Sequence, residues 1–220
     1  MSYTLIVGTK DWSSWSLRPY LALCATGQPF EEVVIRLRET DDNATQNAIR
    51  KFSPAGRVPV LQIATGDKTV TVWDSLAICE TLAERHPEAG LWPDDWAARA
   101  NARALSAEMH SGFPDLRDQL TMDIARQLPM PALRPKTQEQ IARVLASWDA
   151  ALAENGAGGG FLFGRFSIAD CMYAPVVSRF TTYGVQTSNT VQDYMARVWA
   201  LPAMQAWRKA AQQEVADGMA

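Results

Sequence analysis

Two adjacent hydroxyl groups, Ser13 and Ser14, lie in a tryptophan- and serine-rich segment, Trp12–Pro19, where a predicted first strand turns into a predicted first helix. The backbone N–H groups and the positive dipole end of a helix N-terminus favour an anion, and a serine hydroxyl can donate a hydrogen bond to it. The structural alternative is that Ser16 only caps the helix and Pro19 occupies its first turn. The segment therefore predicts an anion site or a simple helix start.

A second segment, Gly56–Val60, places Pro59 at the start of a predicted strand. A strand accepts proline at its first residue, where a missing N–H is tolerated. A cis peptide bond between Val58 and Pro59 would leave the N–H and C=O of Val58 free to pair with a peptide-like ligand. The pair therefore indicates a place where extended peptide could bind.

A third segment, Trp73–Leu76, joins the last predicted strand to the third predicted helix. Ser75 is a favourable N-cap whose hydroxyl, together with the exposed helix amides, suits a carboxylate, and Asp74 beside it suits an ammonium group. The amino acid end of a ligand carries both charges. The alternative is that Asp74 and Ser75 merely cap the helix.

The three segments fall on the elements of a small α/β domain. Strands are predicted at Tyr3–Thr9, Glu31–Leu37, Val60–Ile63 and Thr69–Trp73, and helices at Ser16–Gly27, Asp41–Phe52 and Ser75–Arg85. A Gly66-Asp67 pair between the last two strands is a hairpin turn signal. The order β-α-β-α-β-β-α is the thioredoxin-like arrangement, in which the last two of four strands are antiparallel and helices cover the faces.

A proline-containing linker then separates a second domain. Two prolines and a glycine between His86 and Pro93 break any helix, so we predict a first domain at 1–86, a linker at 87–93 and a second domain at 94–220. Predicted helices in the second domain cover Asp94–Leu120, Thr137–Glu154, Ser167–Tyr183 and Thr190–Val215, the last interrupted at Pro202. Ser167 and Asp170 have the spacing of a capping box. The second domain is predicted to be an all-α bundle.

Composition excludes several classes of protein. A net charge of −3 without any basic patch argues against nucleic acid as a partner. No apolar stretch reaches the ~18 residues that span a bilayer, and the N-terminus lacks a secretion signal, so we expect a cytoplasmic protein that does not bind membranes. The three cysteines are far apart and the two histidines stand away from them, which predicts neither a dithiol centre nor a metal site.

Together the three segments resemble the glutathione transferases, and the resemblance covers nearly the whole chain. Ser-Ser-Trp-Ser at the first turn is similar to the Ser-Ser-Cys-Ser motif of zeta-class members, with Trp15 in place of the cysteine. The resemblance implies that Ser13 is the catalytic hydroxyl, with Ser14 as second candidate. It also implies that the Val58-Pro59 pair, with a cis proline, holds the cysteinyl backbone of glutathione.

The same resemblance assigns the remaining glutathione contacts. Asp74 and Ser75 correspond to the pair that holds the γ-glutamyl end, although the family usually has glutamate or glutamine before the serine, one methylene longer than Asp74. Arg57 is either a partner of the glycine carboxylate or a solvated surface residue. Candidates for the second-substrate pocket are Trp12, Trp15, His110, Phe113 and Arg117, with a helix kink expected at Gly112-Phe113-Pro114.

Thiol chemistry then defines the expected reaction. The thiolate is the nucleophile, and a thiol with a pKa of ~8.5 is only a few per cent ionised at neutral pH, so Ser13 would stabilise the anion as a hydrogen-bond donor. The resemblance implies a homodimeric, detoxifying enzyme that uses glutathione as co-substrate to conjugate, isomerise or reduce a small apolar electrophile, and we expect no metal. A maleylacetoacetate-type isomerase is one such enzyme. The alternative is a non-catalytic ligand-binding or protein-interaction module on the same fold.

Overall fold

The computed structural model describes residues 1–37 and 42–219, and it begins with a four-stranded sheet. The strands are β1 (Ser2–Gly8), β2 (Phe30–Ile35), β3 (Val60–Thr65) and β4 (Lys68–Trp73). The sheet order is β2-β1-β3-β4, with β1 parallel to β2 and antiparallel to β3, while β3 and β4 form an antiparallel hairpin. The predicted thioredoxin-like sheet is confirmed.

Three helices accompany this sheet. They are α1 (Ser14–Ala25), α2 (Asp42–Arg50) and α3 (Ser75–Arg85). The predicted start of the first helix at Ser16 is wrong, because Ser13 is the N-cap and Pro19 lies inside the helix. The carbonyl of Thr9 accepts the amides of Trp12 (3.2 Å) and Ser13 (2.9 Å), and this tight turn lets the helix begin two residues early. Asp41, where the second helix was predicted to start, lies outside the described residues.

The remaining helices form the second domain, as predicted. They are α4 (Trp96–Ser111), α5 (Pro114–Gln119), α6 (Pro135–Asn155), α7 (Ile168–Tyr183), α8 (Asn189–Ala200) and α9 (Pro202–Ala216). The expected kink separates α4 from α5 at Phe113, which has a φ of 62°, and Pro202 separates α8 from α9. None of the described helices is long and apolar enough to cross a membrane.

The buried helix α7 joins the two domains. All of its residues except Thr181 are buried, and it packs against α1 of the first domain and α4 of the second. The predicted capping box fixes its start: the Asp170 carboxylate accepts hydrogen bonds from the Ser167 amide (2.8 Å) and hydroxyl (3.1 Å). Burial raises the pKa of Asp170 to about 6. Through α7, the second domain packs against α1 of the first domain.

Candidate active site

A cavity of about 220 Å³ lies between the N-terminus of α3, the loop before β3 and the start of α1. All five predicted glutathione contacts line it: Arg57, Val58, Pro59, Asp74 and Ser75. Trp15, Ala55 and Trp73 complete the lining. The peptide bond between Val58 and Pro59 is cis, as the resemblance implies. Within the described part of the chain, the structure records no hydrogen bond of the Val58 backbone. Three segments that are distant in sequence therefore converge on one cavity.

Ser75 lines this cavity with an unused hydroxyl. The side chain is 0% exposed, and its Oγ has no hydrogen-bond partner among the described residues. The expectation that Ser75 is the N-cap is wrong, because Asp74 takes that position and accepts the amides of Leu76 (2.9 Å) and Ala77 (3.4 Å) through Oδ1. Since Asp74 caps the helix, the Ser75 hydroxyl remains available for a ligand.

Asp74 also bridges the two domains. Its Oδ2 lies 3.3 Å from Nε2 of His110, which belongs to α4. Burial lowers the pKa of His110, Asp74 opposes that effect, and the cations of Arg18 and Arg117 lower the pKa further. Both oxygens of Asp74 thus already have protein partners beside the cavity.

The two candidate catalytic hydroxyls stand next to the cavity without lining it. The Ser13 hydroxyl donates to Oγ of Ser16 at 2.8 Å, and the same Ser16 oxygen accepts the Gly8 amide at 3.1 Å. Ser13 and Ser14 are both buried. The chain connects them directly to Trp15, whose ring does line the cavity.

The Trp15 ring lies among three cationic or titratable side chains. The guanidinium carbons of Arg18 and Arg117 lie 4.4 and 4.9 Å from its centroid, which is cation–π distance, and the His110 ring meets its face edge-on at 5.3 Å. Trp15 therefore lines the cavity at Ser75 and also contacts two side chains of the second domain, His110 and Arg117.

A second cavity is lined by Trp12, Arg117, Thr121, Met122, Asp123 and Arg179. Two of the five predicted pocket residues, Trp12 and Arg117, are found here, and Trp15 lines the first cavity. His110 contacts Asp74 and Trp15 instead, and Phe113 is part of the hydrophobic core. Sequence reasoning missed Arg179, although a lone cation within the apolar stretch Ala174–Phe180 was a usable signal, since arginine is seldom buried without a specific reason.

Three guanidinium groups give this region an excess of positive charge. Burial, together with the neighbouring charge of Arg117, lowers the pKa of Arg18 and of Arg179 to about 9 each. None of these three arginines has a carboxylate ion-pair partner among the described residues, and the nitrogens of Arg18 have no hydrogen-bond partner there. Buried cations of this kind favour an incoming anion.

Two family models match most of the chain. Residues 12–85 match the N-terminal domain of glutathione S-transferase, and residues 94–210 match its C-terminal domain. The chain belongs to the glutathione S-transferase family. Among the described residues, no group of three or more histidine, cysteine, aspartate or glutamate side chains could hold a metal ion.

Relatives within the glutathione S-transferase family include isomerases and glutathione-bound structures. The chain is 28% identical to a maleylacetoacetate isomerase of Rattus norvegicus over 195 residues, covering 88% of this chain and 87% of that one. The Pseudomonas aeruginosa maleylacetoacetate isomerase is 27% identical over 178 residues, covering 79% and 80%. A Burkholderia glutathione transferase homologue, solved with bound glutathione, has a TM-score of 0.70 at 26% identity and covers 97% of this chain and 99% of its own.

Proposed function

We propose that this chain is a glutathione-dependent enzyme that binds reduced glutathione in the cavity at Ser75 and uses its thiolate to attack a small electrophile. The single observation that carries the proposal is that one cavity is lined both by Ser75, whose buried hydroxyl has no hydrogen-bond partner among the described residues, and by Val58, whose backbone has no recorded hydrogen bond there. The Ser75 hydroxyl and the α3 amides would bind the γ-glutamyl carboxylate, and the Val58 backbone would pair with the cysteinyl unit. Arg57 would bind the glycine carboxylate.

Ser13 would activate the bound thiol. In the structure its proton lies on the bond to Ser16, but a hydroxyl rotates freely, so Ser16 can donate to Ser13 and release the Ser13 proton toward sulfur. The Gly8 amide supports this reversal because it keeps one lone pair of Ser16 occupied. The N-terminus of α1 adds its positive dipole end. Ser13 would then lower the pKa of the thiol without becoming a nucleophile.

Calorimetric titration with reduced glutathione tests the proposed function. We expect saturable binding, with a Kd between about 1 μM and about 1 mM, which is the usual range for enzyme substrates. Glutathione carrying an S-methyl group is a useful companion ligand, since it keeps the backbone and both carboxylates but has no thiol to ionise. Absence of binding by either peptide would favour the non-catalytic alternative on this fold.

We propose further that the second substrate combines an apolar body with an anionic group. Trp12 and Met122 offer apolar contact in the second cavity, while Arg117 and Arg179 supply charge. The sequence alone led us to expect an apolar electrophile. The names of the isomerase relatives, which act on maleylacetoacetate, support an anionic one.

Two matched electrophiles test this substrate class. Chloroacetate and chloroacetamide both lose chloride to a thiolate with formation of a carbon–sulfur bond, but only chloroacetate is charged. We expect the enzyme to accelerate chloroacetate over its uncatalysed rate about tenfold more than it accelerates chloroacetamide, since a charge-assisted hydrogen bond is worth roughly 1.5–3 kcal/mol. Arg117→Met is expected to remove the preference while chloroacetamide turnover persists. Equal acceleration of both by the wild type would contradict the proposal.

We also propose that two copies form a homodimer in which the first domain of one subunit contacts the second domain of the other. Val70, on the edge strand β4, is 53% exposed, and a bare edge strand with an apolar side chain favours a partner. Val70→Glu is expected to halve the mass measured by sedimentation equilibrium. Val34→Glu, on the opposite edge strand and 44% exposed, is the matched control and should leave the mass unchanged.

A cytoplasmic, detoxifying role completes the proposal. All three cysteines, Cys24, Cys79 and Cys171, are free, which is common in proteins of a reducing compartment. Such a compartment also keeps glutathione in its thiol form. Immunolocalisation of the tagged chain, together with the sensitivity of a deletion strain to anionic electrophiles, tests both points.

A further inference from the structure

The C-terminal helix α9 holds the turn that carries the candidate catalytic serines. Oε2 of Glu214 accepts the amides of Lys10 at 2.6 Å and Asp11 at 3.2 Å, and the indole N–H of Trp207 donates to the Lys10 carbonyl at 2.9 Å. Glu214 is only 6% exposed and Trp207 is fully buried. Two side chains about two hundred residues away along the chain thus bind three backbone groups of this turn.

Backbone hydrogen bonds within the turn connect Lys10 and Asp11 to Ser13. Two residues from Asp11, the Ser13 amide bonds back to the carbonyl of Thr9, and the Trp12 amide bonds to the same oxygen. The Asp11 carboxylate is itself held from the other side, because it accepts the amide of Ala125 at 3.0 Å. A shift at Lys10 or Asp11 must therefore move Ser13 or break one of these bonds.

The Glu214 carboxylate binds the turn, whereas other side chains pack α9 against the core. The apolar side chains of α9, Met204, Trp207 and Ala211, are fully buried and already supply the packing of the helix. A carboxylate at this depth is costly unless its oxygens receive hydrogen bonds. Its two donors are backbone amides of the turn, and the Lys10 ammonium, paired with Glu32 at 2.5 Å, lies 5.1 Å from the Trp207 ring.

We propose that Glu214 is a positioning residue that fixes the turn so that the Ser13 hydroxyl meets the sulfur of bound glutathione. The inference rests on the proposed function. Since Val58 and Ser75 bind glutathione from other elements, loss of Glu214 should leave affinity intact and impair activation of the thiol. Loss of Glu214 is therefore expected to lower kcat without raising KM for glutathione.

Three variants test it by steady-state kinetics. Glu214→Ala is expected to lower kcat about tenfold, keep KM for glutathione within about twofold, and shift the thiol limb of the pH–rate profile to higher pH, because small misplacements of a catalytic group are costly. Glu214→Gln should recover kcat to within about threefold, since its amide oxygen accepts both hydrogen bonds. Ala211→Gly is the matched control, because it weakens the same helix and removes no side-chain hydrogen bond to the turn.

Two results would overturn the proposal: Ala211→Gly lowering kcat as much as Glu214→Ala does, or Glu214→Ala raising KM while kcat is kept. If Glu214→Ala does not fold, Trp207→Phe takes its place, since it removes the bond to the Lys10 carbonyl and keeps an aromatic ring. Hydrogen exchange supplies a readout independent of turnover. Faster exchange of the Lys10 and Asp11 amides in Glu214→Ala, with exchange in Glu214→Gln close to that of the wild type, supports the anchoring. Unaltered exchange in Glu214→Ala overturns it. A wild type that binds no glutathione overturns the proposed function instead, whatever the exchange shows.

Discussion

Replacing Ser13 by alanine is expected to lower kcat at pH 7 by about 10- to 20-fold while the Kd for glutathione changes little. A hydrogen bond worth about 2 kcal/mol lowers the pKa of a thiol from ~8.5 to ~7, which raises the thiolate fraction at pH 7 from a few per cent to about half. Ser13 caps α1 through its backbone without a side-chain capping bond, so alanine preserves the helix start. Only the bond to Ser16 is lost.

The loss of kcat in Ser13→Ala is expected to depend on pH. Because the substitution raises the pKa of the bound thiol, the gap between variant and wild type should narrow as pH rises through ~8.5, where the unaided thiol ionises. The thiolate absorbance of the glutathione complex, followed from pH 6 to pH 9.5, measures the same shift without turnover. Ser14→Ala is the control, since Ser14 is the second candidate. A larger loss in Ser14→Ala than in Ser13→Ala would exchange their roles.

The residues that line the cavity at Ser75 were predictable because each part of the cavity is a short local signal. A Val-Pro pair at a strand start, and an acidic residue followed by serine at a strand–helix junction, specify their local backbone within a few residues. The thioredoxin-like order then brings Val58 and Ser75 together. The sequence predicted Ser75 as the N-cap of α3, but Asp74 takes that position. Both residue types are good N-caps, and the sequence does not show which of them adopts the positive φ of 77° found at Asp74.

Contacts between distant elements were not predictable in the same way. Arg179 reaches the second cavity from α7, and Glu214 reaches the turn from α9, so neither leaves a pattern near the residues it serves. Phe113, a candidate for the second-substrate pocket, belongs to the hydrophobic core, where burial of a large apolar ring is stabilising.

Replacing Ser75 by alanine is expected to weaken glutathione binding about 10- to 100-fold, since a hydrogen bond to a carboxylate is worth roughly 1.5–3 kcal/mol. The same change should leave the melting temperature unchanged or slightly higher. The buried Ser75 hydroxyl has no hydrogen-bond partner among residues 1–37 and 42–219, so alanine removes an unsatisfied polar group and no hydrogen bond recorded there. Ser75→Ala is thus predicted to weaken glutathione binding without lowering thermal stability, a combination that few substitutions at buried positions produce.

Ser106 provides the matched control for Ser75. It is also 0% exposed and its Oγ also lacks a partner among the described residues, but it lies on α4 and does not line the cavity. Ser106→Ala should therefore reproduce the effect of Ser75→Ala on thermal unfolding and leave the calorimetric Kd for glutathione unchanged. Equal Kd values for the two variants would show that the unpartnered hydroxyl of Ser75 has no ligand, and would remove the observation on which the assignment of this cavity to glutathione depends.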